Sequence, residues 1–168
     1  MNSKDDPCKK IFQELVDIGC IQVSHFIEES SKCDYFKAVH CGIQYNPEMC
    51  DLNEDSIRFS ILHEENHNRH PYQAGIFFVF SGLTFVFIIY ILTVSLNVNI
   101  ILSLFALLII IFCLSIVVKR GEEYECDEFA AKVFRDILRS PEPPSKILMR
   151  TLEKMPYKLD IRYCSSIP

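Results

Sequence analysis

The sequence predicts a mainly helical α+β fold, with a small β-hairpin or edge strand and a two-helix transmembrane hairpin inserted between two polar motifs. Three observations predict it. Two long charge-free apolar stretches lie side by side, Ala74 to Leu96 and Val98 to Val118. A histidine–glutamate motif at helical spacing precedes them, and an acidic helix start follows them. Short apolar alternation around Gly42 supplies the β element.

Composition narrows the function classes. The chain has 168 residues, a net charge of −5 and a sequence pI near 5.5. No basic face points to nucleic acid, so no nucleic-acid partner is expected. Hydrophobic residues make up 49%, an ordinary value overall, but they concentrate between Ala74 and Val118. Eight cysteines occur, none in a C-x-x-C pair, which argues against a cysteine zinc knuckle. The first ten residues are charged and lack an apolar run, so no signal peptide is expected and the cysteines read as free thiols.

The elements follow in chain order. Pro7 to Glu29 reads as helical, with Ile11, Phe12, Leu15, Ile18 and Phe26 near helical spacing. Tyr35 to Tyr45 reads as a strand or hairpin, and Asn46-Pro47 as a turn. Asn53 or Asp55 can cap a helix running to about His70, before Pro71. Each charge-free stretch is long enough to cross roughly 30 Å of hydrocarbon as a helix. With Asn97-Val98-Asn99 as the turn, they predict spans over 74–96 and 98–118. Arg69, Lys119 and Arg120 flank the pair, placing both termini on the cytoplasmic side of an integral membrane protein. Glu122 to Arg139 and Ser145 to Met155 read as further helices. The expected organisation is 1–72, 73–118 and 119–168.

The chemistry lies in His63-Glu64-Glu65-Asn66-His67, an H-E-x-x-H motif inside a predicted helix. Residues four apart share a helix face, so two imidazoles can address one zinc ion. Glu64 lies beside that ion and can act as general base towards a zinc-activated water. Ser56 and Ser60, on roughly the same side, leave room below the histidines. A third ligand is still required. His70 is nearest in sequence, but on a rigid helix it lies about 10 Å from His63 along the axis. Glu123 is the other candidate. It opens the acidic segment after the second apolar stretch and shares a helix face with Asp127, which could orient a ligand imidazole.

Taken together, His63-Glu64-Glu65-Asn66-His67, the two apolar segments and Glu123-Tyr124-Glu125-Cys126-Asp127-Glu128-Phe129-Ala130-Ala131 resemble the integral-membrane zinc metallopeptidases that include the HtpX-type quality-control proteases and the CAAX prenyl proteases. That family's second motif is E-x-x-x-D, and Cys126 stands where the family often has Ala. The resemblance spans roughly Tyr35 to Met155. It implies a zinc-metallopeptidase helical core, one zinc ion per chain on His63, His67 and Glu123, Glu64 as base and Asp127 in support. It also implies a substrate-binding edge strand, here the segment holding Ala38, Val39, Ile43 and Tyr45. The implied partners are peptide or membrane-protein substrates and the lipid bilayer. HtpX-type members have two further spans before the zinc motif, which this chain lacks. His40, Arg69, His70 and Tyr157 are the candidates for stabilising an oxyanion. The rival readings are an intramembrane protease of the site-2 type and a catalytically inactive membrane adaptor that retains a structural metal site.

Overall fold

Asp6 and Pro7 begin the first helix. In the computed structural model, which describes residues 6–70, 73–96 and 100–154 (side chains 73–79, 92–96, 100–104, 106 and 107 excepted), α1 covers Pro7–Asp17. The Asp6 carboxylate accepts from the Cys8 and Lys9 amides, and Pro7 occupies a position where no amide is needed. The helix expected over 7–29 stops early because Gly19 takes a left-handed φ of 76°. The Gly19 amide donates to Val16 O at 2.9 Å and the Cys20 amide to Leu15 O at 2.9 Å, the bonding pattern that closes a helix on glycine.

The chain then enters a three-stranded sheet. β1 is Phe26–Glu29, β2 Phe36–Val39 and β3 Gly42–Tyr45, in the order β1-β3-β2. β3 is central, parallel to β1 and antiparallel to β2. On β3, Gly42 lies under the Phe26 ring, and a Cβ there would come within 2.8 Å of it, so a larger residue would make the ring shift. A short 3-10 helix, Pro47–Asp51, leads into α2, Glu54–Arg69. Asn53 Oδ1 accepts the Ser56 amide at 2.7 Å and caps α2. α3 covers Gln73–Leu96, α4 Ile100–Asp136 and α5 Pro144–Glu153. The helix expected to begin at Glu122 is the C-terminal part of α4, because nothing from Lys119 to Glu122 breaks helical geometry.

The chain forms two units, one of Met1–Arg69 with Tyr124–Pro168, the other of His70–Glu123. The first has a core of Ile11, Leu15, Ile43, Tyr45, Ile57, Ile61, Leu62, Phe134 and Ile147, each at most 2% exposed. Phe59 and Phe134 pack at 6.0 Å between ring centres. In the second unit many of the described apolar side chains are exposed, among them Phe80, Leu83, Phe87, Leu108 and Phe112.

The expected transmembrane hairpin is overturned. Among the described residues no helix is long and apolar enough to cross a membrane. The prediction rested on the length and apolar character of the two charge-free stretches, and no described helix meets both requirements. α4 is apolar only in its N-terminal part and carries Lys119, Arg120, Glu122 and Glu123 without a break. The fold class is therefore corrected to a mixture of helices and a small three-stranded sheet, and the two-span integral-membrane localisation with cytoplasmic termini falls with the spans.

Asp6 joins the helix cap to the core, since the buried Tyr45 hydroxyl also donates to it. Burial would raise the Asp6 pKa, but hydrogen bonds from Tyr45, Lys9 and the Cys50 thiol outweigh it, leaving the carboxyl below its ordinary 3.8. Replacing Asp6 by Ala is expected to cost about 2 kcal/mol at neutral pH, from the lost cap and the orphaned Tyr45 hydroxyl. Because the folded value is the lower one, this stability is complete above the ordinary carboxylate range and lost as pH falls through the folded value. Denaturant titrations should give a wild-type-to-Asp6→Ala difference that is constant down to about pH 5 and shrinks below about pH 4. A difference independent of pH would contradict this assignment.

Candidate metal centre

α2 runs through the middle of the first unit, packing against α1, β2, β3 and α5. It carries an unusual load. His63, Glu64, Glu65 and Asn66 are consecutive, polar and at most 7% exposed, and His67 is half-buried. Buried polar groups of this kind persist only with partners.

His63 and His67 lie one turn apart, with ring centres 5.1 Å apart and planes at 69°. His63 Nδ1–H donates to Asp127 Oδ1 at 2.8 Å. A carboxylate only accepts, so Nδ1 carries the hydrogen, which in the neutral ring puts the lone pair on Nε2. Ligand atoms of His63, His67 and Cys126 all lie within 4.8 Å of one another. Donors around tetrahedral zinc stand about 3.3–3.6 Å apart, so modest side-chain movement would bring these three onto one ion. Two imidazoles and a sulfur are also donors zinc accepts. The Asn66 side-chain amide donates to Cys126 Sγ at 3.4 Å.

Glu64 Oε2 accepts the Ala38 amide of β2 at 2.8 Å. β2 is an edge strand, so Ala38 and Val39 lie where a further strand could pair. Ile43 and Tyr45, expected with them as edge residues, are on the central strand and fully buried, so β2 alone is the edge on this side of the sheet. Glu123 is the last residue of the second unit, on the same helix as Asp127 and four residues before it. Ser56 and Ser60 are both buried.

Of the oxyanion candidates, Arg69 is engaged in holding the helix. It donates to Glu65 Oε1 at 3.2 Å and to Cys20 O at 2.6 Å, and it lies 4.6 Å from the centre of the Phe129 ring. His40 is exposed beside the hairpin turn, His70 is exposed in the second unit, and Tyr157 lies outside the described residues.

Two partners escaped the sequence reading. His25 Nδ1–H donates to Glu65 Oε2 at 2.8 Å, so the fully buried Glu65 is held between His25 and Arg69. Cys126 enters the ligand cluster from α4, where its place beside Asp127 was the only signal. A second group of ligand-type atoms, Asp6, Cys8 and Cys50, is a helix cap with two protonated thiols, whose pKa values burial pushes up. No family model matches the chain, and no curated protein or solved structure matches it.

Glu65→Ala is expected to lower unfolding stability by about 3 kcal/mol, because it strands His25 and part of the Arg69 guanidinium. Chemical denaturation measures this, and a loss below about 1 kcal/mol would show that Glu65 is not the anchor of α2.

Proposed function

We propose that the chain is a zinc-dependent endopeptidase with Glu64 as general base. The observation that carries this reading is the His63–His67 pair on a buried helix turn, with the His63 tautomer set by Asp127 and the Glu64 carboxylate one residue further on. His63 and His67 would hold the ion, and the carboxylate that the sequence pattern nominates as third ligand is Glu123. Zinc in that setting supplies Lewis acidity to the scissile carbonyl and the attacking water.

The chain's own groups supply the rest. Glu64 takes a proton from the attacking water and returns it to the leaving amine. The Ala38 amide fixes the resting position of the Glu64 carboxylate. The peptide would bind by strand addition along β2, meeting the same edge that Glu64 touches. Asp127 keeps the Nε2 lone pair of His63 directed away from its own hydrogen bond. A sulfur atom in the donor cluster favours a second reading, a non-catalytic protein with a structural metal site.

Cleavage of casein by the purified full-length chain separates the two. Glu64→Gln should reduce cleavage about 10²–10⁴-fold while leaving zinc content unchanged. Zinc binding without cleavage in any variant would favour the structural site. Asp127→Ala should weaken zinc binding about 10–100-fold in competition with a chromogenic chelator, and unchanged affinity would remove Asp127 from the site.

A further inference from the structure

We propose that the Cys126 thiolate is a resting ligand of the same ion, closing the position that water must occupy for catalysis and so keeping the peptidase latent. The inference rests on the zinc reading above. It is carried by the donor cluster: a cysteine 2% exposed, with its sulfur within 4.8 Å of the ligand atoms of both histidines. The Asn66 amide points an N–H at that sulfur, as a donor does that stabilises negative charge on a ligating thiolate.

The chemistry balances simply. The Cys126 S–H bond gives its proton to solvent as the sulfur–metal bond forms, with no change of oxidation state. With the Glu123 carboxylate proposed above as a ligand, the two imidazoles and the thiolate would make a four-ligand set. Structural zinc sites are closed in this way, whereas catalytic ones keep one position open. Hydrolysis then requires the sulfur to leave, and the open fraction sets the activity. Any agent that takes the thiolate away, by oxidation or by a competing soft metal, would raise cleavage.

The test uses cobalt(II) in place of zinc on the full-length chain, because a cobalt–thiolate bond gives a sulfur-to-metal charge-transfer band in the near ultraviolet. The wild type should show the band at one cobalt per chain. Cys126→Ala and Cys126→Ser should keep the cobalt, lose the band and, loaded with zinc, cleave casein about 10-fold faster or more. Far-ultraviolet circular dichroism confirms that both variants fold, and Ser keeps the size of the side chain should Ala perturb packing. Cobalt bound to the wild type without the band overturns thiolate ligation. A band with no gain of cleavage in either variant overturns latency. A wild-type chain that binds no cobalt or zinc overturns the metallopeptidase reading itself, a result distinct from the other two.

Discussion

The structure depends on a constraint set by α2: a helix in the middle of the core carries His63, Glu64, Glu65 and Asn66 in a row, all nearly inaccessible to water. A helix cannot turn four consecutive side chains to one side, because successive residues point about 100° apart. Each therefore meets a different neighbour. His63 and Asn66 reach α4 at Asp127 and Cys126, Glu64 reaches β2 at Ala38, and Glu65 reaches His25 ahead of β1. These partners are 26 to 64 residues away in sequence. The polar row thus fixes how the helix is rotated and which segments surround it. Apolar burial by Ile57, Ile61 and Leu62 drives the helix inward but is indifferent to small rotations.

That division of labour explains what chemistry the site can do. A buried glutamate tied to an edge strand and a histidine tied to an aspartate are held by groups that would otherwise be costly to bury. Ligand atoms of His63, His67 and Cys126 lie within 4.8 Å of one another beside these ties.

Much of the site was legible because it is local. The i, i+4 spacing of His63 and His67 and the cap at Asn53 are properties of single helices, and a 3.6-residue period reveals them. The hairpin of β2 and β3 was legible from alternation around Gly42, although which strand lies at the edge depends on β1. β1 itself was hidden, because Phe26-Ile27-Glu28-Glu29 fits a helix end as well as a strand and pairs in parallel with β3. Cys126 and His25 were illegible for the same reason: their roles come from contacts 60 and 40 residues away. The transmembrane hairpin, read from the length and apolar character of two charge-free stretches, failed because no described helix is long and apolar enough to cross a membrane.

The central claim is that His63 and His67 hold a metal ion, and elemental analysis of the purified chain tests it most directly. Wild type dialysed against trace zinc should carry about one zinc per chain, and His63→Ala and His67→Ala close to none, with all three folded by circular dichroism. Wild type without zinc, or equal zinc in all three proteins, would contradict the account.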